Sequence, residues 1–510
     1  MSSPLLTNTS YSVIIQLGTA LTPTTRRHFP KTMRRTKIVC TIGPATRSPE
    51  ALRQLIEAGM NVARLNFSHG THKEHAEVIN SLRDIARELD TPLALLQDLS
   101  GPKVRVGKIA GNGVLLRPGA EITLTLDDVP GDEHQVNLPV PEIFEAVRAG
   151  THLMLDDGLM ELRVKSKRSD ALVCEVVVGG TLTSHKGVNV PGVSLPIAAV
   201  TDKDLQDLRF GIAQRVDYVA ASFVRTASDI AVLRGVCEAA KAKIPIIAKI
   251  EKHEAITNID SIMEAVDGIM VARGDLGVEV PIDEVPIIQK MLIHKANRAG
   301  KPVITATQML DSMIRNPRPT RAEVTDVANA IFDGTDAVML SGETAVGLYP
   351  FETVRMMAKI ASHTEGSLDF AKILDEKMRV DTGQSITGAI GQATCDIAQD
   401  LSCTAILTAS ATGRTARVVS RYRPRAPIIC ATNRQETYNR LALVWGVHPV
   451  MVEIAGDSDG MMQACIDAAE QTGIVKTDDV VVLTGGVPVG RPGSTNFLKI
   501  HRIGQPLRPE

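Results

Sequence analysis

Lys249 and Glu251 stand two residues apart at the end of one apolar run, and Asp275 stands just past the end of the next, in Arg273-Gly-Asp-Leu-Gly277. Two carboxylates brought together from neighbouring strands repel strongly unless a cation lies between them. A divalent ion relieves that repulsion, and Mg2+ takes one or two carboxylates while water and substrate phosphate oxygens fill its other positions. Lys249 has the parity of Glu251 along an extended chain, so its ammonium is expected to face the same space. A metal and an ammonium across one gap suit a phosphoryl group in flight, whose equatorial oxygens carry spread negative charge. Gly274 lets the main chain approach a ligand closely, and amides at a following helix start would receive a carboxylate. Taken alone, the same segment also reads as a plain turn.

Eight short apolar runs, rich in β-branched residues, must position these groups: 37–42, 61–67, 93–99, 216–223, 244–250, 268–271, 302–307 and 337–340. Most precede a stretch of helical periodicity with recognisable caps, such as the capping box Thr320-Arg-Ala-Glu323. Eight β-α units predict a (β/α)8 TIM barrel, whose catalytic groups sit at the C-terminal ends of the strands. An open doubly wound sheet would want a Gly-rich phosphate turn after its first strand, and Cys40-Thr-Ile-Gly-Pro44 is not one. The run ends are polar. They carry Arg64, Asn66 and Ser68, then Asp98, Ser222, Lys249 and Glu251, Arg273 to Asp275, Thr307 and Gln308, and finally Ser341 and Glu343. One such residue by itself is a solvated loop or a cap, but eight neighbouring strand ends open on one mouth.

Between the third and fourth runs the pattern changes to short alternating segments (114–116, 121–126, 159–164 and 172–178), which reads as a small all-β domain, a β-barrel lid, inserted into a barrel loop. A further α/β pattern follows, with runs at 405–407, 428–430, 447–452 and 480–483. The expected division is a barrel over 33–103 and 187–366, a lid over 104–186, and a C-terminal α/β regulatory domain over 381–510. Residues 1–32 hold Arg26, Arg27 and Lys31, are rich in Ser and Thr, and contain no acid; they read as an over-long start preceding Met33 or as a transit peptide.

Composition narrows the class. Lys plus Arg number 56 against 58 acidic residues, so no global field steers the chain toward nucleic acid or an anionic membrane. Aromatics at 3% leave little for base stacking. The seven cysteines are scattered without a C-x-x-C pair, which suits reduced thiols in a cytoplasmic enzyme, and no apolar stretch approaches the length of a bilayer span.

Long motifs then carry a resemblance. Met60-Asn-Val-Ala-Arg-Leu-Asn-Phe-Ser-His-Gly70, Gln97-Asp-Leu-Ser-Gly-Pro-Lys103, Ile247-Ala-Lys-Ile-Glu251, Ile269-Met-Val-Ala-Arg-Gly-Asp-Leu-Gly277, Thr305-Ala-Thr-Gln-Met-Leu310 and Ala337-Val-Met-Leu-Ser-Gly-Glu-Thr344 resemble the pyruvate kinase family, from about Arg34 onward. The resemblance implies transfer of the phosphoryl group of phosphoenolpyruvate to ADP, the last step of glycolysis, followed by protonation of the enolate to pyruvate. It implies that Glu251 and Asp275 hold Mg2+ (or Mn2+) and that Lys249 neutralises the phosphoryl group. Arg64 then contacts the phosphate, Gly274, Asp275 and Thr307 receive the substrate carboxylate, and protonation runs through Thr307, Ser341, Glu343 and water. Asn66, His69, Arg105 and Lys186 take nucleotide-facing positions, although His69, like His253, reads from the residues alone as structural.

Asn66, Ser68, Asp98 and the Leu99 carbonyl match the family's K+ site. The chain departs there from the potassium-dependent pattern, carrying Leu99 in place of Thr and Lys103 in place of Glu, so activity without K+ is expected. Ser410, Thr412, Gly413, Arg414 and Thr415 form a phosphate-binding arrangement where relatives bind a phosphorylated allosteric effector, and Arg491 is expected to close over it; the bland reading is a capped helix start. A homotetramer is implied. Two rivals stay open: a barrel lyase using the same Glu–Asp metal pair without a nucleotide-facing lid, and a binding protein that kept the fold.

Overall fold

The computed structural model describes residues 33–380, 385–454, 456–488 and 495–507. Residues 1–32 and Arg491 therefore lie outside the described residues.

The eight strands expected of the barrel form at Lys37–Ile42, Val62–Asn66, Ala94–Asp98, Tyr218–Ala221, Ile246–Ile250, Gly268–Ala272, Val303–Ala306 and Ala337–Leu340. They close in sequence order, all parallel, with the last pairing the first. Alternation along each strand divides its side chains between two cores. One set, including Ile246, Ala248 and Ile250, packs under the surrounding helices. The other points inward, where Val39, Val62, Ala94, Leu96, Tyr218, Ala220, Ile247, Met270, Ile304, Ala306, Ala337 and Met339 fill the barrel. Following the inward set two residues at a time toward the C-terminal ends gives Arg64 and Asn66, Asp98, Ser222, and Lys249 and Glu251. The apolar fill therefore gives way to a polar mouth with no change of register.

The helices start where local chemistry dictates. Capping boxes at Thr71 with Glu74, Thr201 with Asp204, and Thr320 with Glu323 satisfy the free amides of the first turn. The long helix Val285–Ala299 stops at Gly300, which takes the left-handed conformation that glycine adopts without a Cβ penalty.

The inserted lid is a half-barrel: a six-stranded mixed sheet and a two-stranded ribbon enclosing one apolar cluster. It is not wholly β, because the helix Pro141–Ala146 sits in it and buries Ile143 and Phe144. Pro141 and Glu142 at its start are helix-initiating residues that the alternating pattern on either side obscured. Val188 and Val190 lie in the lid core and the strand Val188–Asn189 pairs with His152–Leu155, so the lid runs past the expected return at Lys186.

The C-terminal unit is a five-stranded sheet between helices. Its fifth strand, Phe497–Arg502, is antiparallel and absent from the sequence reading; its alternating, partly exposed pattern lacks the continuous apolar run of the other four. Leu374, on the helix Phe370–Val380, packs into this unit's core, which therefore recruits chain ahead of the expected start at 381. Ala442 and Leu443 plug the bottom of the barrel. Beside them Arg423 joins the two units: it donates to Asp336 at 2.8 Å and to Asn297 and the Gly334 carbonyl at 2.9 Å each, and lies over the Trp445 ring. The seven cysteines are buried and unpaired. Among the described residues no helix is long and apolar enough to cross a membrane.

Candidate active site

The mouth is built from charges that have left water. Asp98 and Glu251 are each 1% exposed. Lys249 Nζ lies 2.8 Å from Glu251 Oε1 and 3.5 Å from Asp98 Oδ1, and donates to Ser222 Oγ at 2.7 Å. Ser222 passes the chain on to the Leu99 carbonyl at 2.6 Å. Arg64 contacts Asp98 Oδ2 at 2.6 Å through both Nε and an NH2 group, and its other NH2 donates to Thr41 Oγ1 at 2.9 Å. Burial alone would push the Lys249 ammonium down, but Asp98 and Glu251 outweigh it and hold it above its ordinary value. Burial likewise tends to raise the Asp98 carboxyl, yet Lys249 and Arg64 bring it below the usual carboxylate range.

Glu251 behaves differently. Burial raises its carboxyl, Lys249 opposes the rise, and Asp275 adds to it. Its Oε2 accepts the Phe223 amide at 2.6 Å, whereas Oε1 touches the Lys249 ammonium without the geometry of a hydrogen bond. The Asp275 carboxylate, on a half-buried residue, has no hydrogen-bond or ion-pair partner among the described residues. Two cations, Arg64 and Lys249, thus face three carboxylates, which is the deficit a further cation would fill. Among the described residues no group of three His, Cys, Asp or Glu side chains converges on a metal-sized space. A metal at Glu251 and Asp275 would draw its remaining ligands from water and substrate, a donor set that fits Mg2+ or Mn2+.

Thr307 sits at φ 69° and Gln308 at φ 53°. A left-handed Thr is strained by about 1–2 kcal/mol and needs outside support. Arg273 supplies it. Its guanidinium donates to the Thr307 carbonyl at 2.8 Å and the Ala306 carbonyl at 3.2 Å, and is anchored by Asp326 at 2.7 Å. Arg273 therefore positions the loop and does not face substrate. Thr307 Oγ1 in turn accepts the Gly274 amide at 2.7 Å, so the expected carboxylate cradle is closed on itself here, with Thr307 at its lip. Glu343 is placed differently from the other strand-end residues. Glu343 is 1% exposed, and its two oxygens accept the main-chain amides of Leu310 and Ser341. The helix Gly342–Ala345 folds this carboxylate back beneath the mouth.

The remaining expected residues gather along one side. The Asn66 side chain accepts the Ser68 amide at 3.1 Å, and Ser68 Oγ donates to Ser100 Oγ at 3.2 Å. A cleft of about 380 Å³ between lid and barrel is lined by Lys103, Arg105, Asp156 and Lys186 above and by Phe223 and Asp275 below. Lys186 is paired with Asp156 at 2.8 Å, and Arg105 donates to the His185 carbonyl at 2.6 Å. His69 is exposed at the rim; partial burial, then Lys103 and Arg105, pull its imidazole below its ordinary value. Lys103 is exposed and feels burial and Lys249 pulling it down, with Asp275 and Asp98 pulling back.

Sequence reading missed Phe223, whose left-handed backbone (φ 53°) aims its amide at Glu251, and Asp156, the partner of Lys186. The only sequence signal for either was position: one follows the fourth strand and the other a lid strand. In the C-terminal unit Gly413, at φ 73°, opens the helix Arg414–Arg421, with Thr412 and Arg414 exposed. Ser410 is buried, and Thr415 is buried and bonded to Thr495 at 2.8 Å.

Comparison with known proteins agrees along nearly the whole chain. Residues 33–354 match the family model described as pyruvate kinase, barrel domain, and 388–501 that described as pyruvate kinase, alpha/beta domain. The chain is 50% identical to the pyruvate kinase of Geobacillus stearothermophilus over 477 residues, 93% of this chain and 81% of that one. It is 48% identical to the pyruvate kinase of Sporosarcina psychrophila and 47% to that of Staphylococcus epidermidis, at the same coverage.

Proposed function

The chain belongs to the pyruvate kinase family and transfers the phosphoryl group of phosphoenolpyruvate to ADP; from that premise we propose how its own residues carry the step. The observation that supports the reading best is the pairing of Lys249 with the buried Glu251 beside an Asp275 carboxylate without a partner. A Mg2+ or Mn2+ ion held by Glu251 and Asp275 would polarise the phosphoryl oxygens and neutralise charge on them. Lys249, fixed by three oxygen partners, presents an ammonium that needs no reorganisation when charge develops on the phosphoryl group. Arg64 holds the phosphate. Gly274, Asp275 and Thr307 take the substrate carboxylate once the Thr307 hydroxyl releases the Gly274 amide. Lys186 and Arg105 turn from Asp156 and the His185 carbonyl to the nucleotide, flanked by Asn66 and His69. Lid closure then excludes water from the phosphoryl group.

Thr307 is the better placed proton relay of the three expected, because Glu343 is engaged with the Leu310 and Ser341 amides; Glu343 acts by holding the Ser341 segment. A coupled assay with phosphoenolpyruvate, ADP and Mg2+ is expected to show turnover that chelation abolishes. Turnover undiminished in excess chelator would reject the metal assignment.

The monovalent site of Asn66, Ser68, Asp98 and the Leu99 carbonyl is served here by Lys103, so K+ is dispensable. Thr412, Gly413 and Arg414 bind a phosphorylated effector, a sugar phosphate or AMP. At low phosphoenolpyruvate an effector should shift the saturation curve to the left several-fold. A curve unmoved by every sugar phosphate and nucleotide monophosphate tried would reject that site. Assembly as a homotetramer, measurable by light scattering, and a cytoplasmic location complete the proposal.

A further inference from the structure

The lid rests on the barrel through a buried carboxylate that none of the catalytic steps uses. Glu279 is 4% exposed and ends the helix Arg273–Glu279. Its Oε1 accepts two donors: Asn189 Nδ2 at 3.1 Å, from the lid strand Val188–Asn189, and the ammonium of Lys252, which follows Glu251. Its Oε2 has no hydrogen-bond partner and faces His253 Nδ1 at 3.8 Å. A second part of the lid meets the same helix: a Cβ built at Gly158 would lie 3.7 Å from Val278.

Two features make this contact more than packing. A buried carboxylate short of donors is costly, and a hydrogen bond to a charged group contributes more than one between neutral groups, so Asn189 holds the lid with unusual purchase for a single side chain. Asp275 lies four residues before Glu279 on the same helix, hence on the same face. The seat of the lid and the placement of the metal carboxylate are therefore two ends of one rigid turn.

We propose that Glu279 is a positioning residue, a clasp that seats the lid through Asn189 on the helix carrying Asp275, so that the nucleotide-facing side of the lid and the metal carboxylate come into register together. When the lid lifts, Glu279 keeps only Lys252 as a donor, which biases the lid toward its seat. Affinity for a nucleotide that needs the seated lid falls by the fraction of time the lid is unseated. The kinetic part of this proposal rests on the lid being nucleotide-facing; the seating part does not.

The test uses the full-length enzyme and an exchanged pair. Asn189→Asp sets one carboxylate against another, and Glu279→Gln removes the charge from the acceptor. Each alone is expected to speed amide hydrogen exchange across residues 186–190 about tenfold, and to raise KM for ADP about tenfold with a much smaller fall in kcat. The double variant restores a donor–acceptor pair with its polarity reversed and keeps a carboxylate near Lys252. Both readouts are expected to return to within about twofold of wild type. A merely structural role gives no such rescue. Should Glu279→Gln fail to fold, Asn189→Ala must still speed exchange at 186–190. Exchange unchanged in the Asn189 variants, or a double variant whose two effects simply multiply, overturns the clasp. If exchange responds and is rescued while KM for ADP stays constant, the clasp stands and the nucleotide-facing role of the lid is what falls.

Discussion

Replacement of Lys249 by methionine is expected to lower kcat by about three orders of magnitude or more, while phosphoenolpyruvate binding weakens far less. A cation aimed at a transferring phosphoryl group is worth roughly 10³–10⁵ in rate in other phosphoryl-transfer sites. The structural argument for the upper part of that range is preorganisation. The Lys249 ammonium is buried, lies between Glu251 and Asp98, and donates to Ser222, so its position is fixed before any substrate arrives. Methionine keeps the length and apolar stem but removes the charge. It leaves Asp98 with Arg64 as partner and Glu251 with the Phe223 amide, so the fold retains a partner for each carboxylate. Single-turnover measurement with saturating ADP and Mg2+ separates the two effects, since loss confined to the chemical step leaves the substrate dissociation constant near its wild-type value. A variant retaining a tenth of wild-type turnover would falsify the assignment of Lys249 to the phosphoryl group.

How much of this site was legible beforehand depended on which residues obey strand parity. Lys249, Glu251, Arg64 and Asp98 all lie on inward-facing columns whose apolar members, such as Ile247 and Leu96, already mark the interior. Alternation and a polar run end sufficed to bring them together. The residues that broke the pattern were those set by backbone conformation. Nothing in the letters at Phe223 or Thr307 announces a left-handed residue; in both cases a partner elsewhere uses the result, Glu251 accepting the Phe223 amide and Arg273 bracing the Thr307 carbonyl. Glu343 illustrates the opposite case. It follows a strand as a catalytic carboxylate would, but the short helix Gly342–Ala345 turns it inward to main-chain amides. The lid was legible as β structure, while its helix at Pro141–Ala146 and its extent past Lys186 depend on long-range pairing, such as Val188 with Leu155, that a local pattern does not carry.

Lys103 carries the second large prediction: wild-type enzyme is expected to keep most of its activity when K+ is replaced by tetramethylammonium, and Lys103→Glu to lose about two orders of magnitude there, recovering on addition of K+. The expectation rests on the departure noted in the sequence, where Lys103 supplies a fixed cation in place of the glutamate of the potassium-dependent pattern. Burial, and then Lys249, hold the Lys103 ammonium below its ordinary value, with Asp275 and Asp98 pulling back. One charge at a few Å and an effective dielectric near 20 is worth about 4 kcal/mol, and the hundredfold effect requires about 2.7 kcal/mol of it. Lys103 is exposed in this structure and lines, together with Asp275, the cleft between lid and barrel. The glutamate variant reverses the local charge and leaves a site for a free ion bounded by Asn66, Ser68 and Asp98. Wild-type activity that collapses in tetramethylammonium rejects the idea directly. A Lys103→Glu enzyme indifferent to K+ rejects it too, because Lys103 would then stand outside the field of the phosphoryl group.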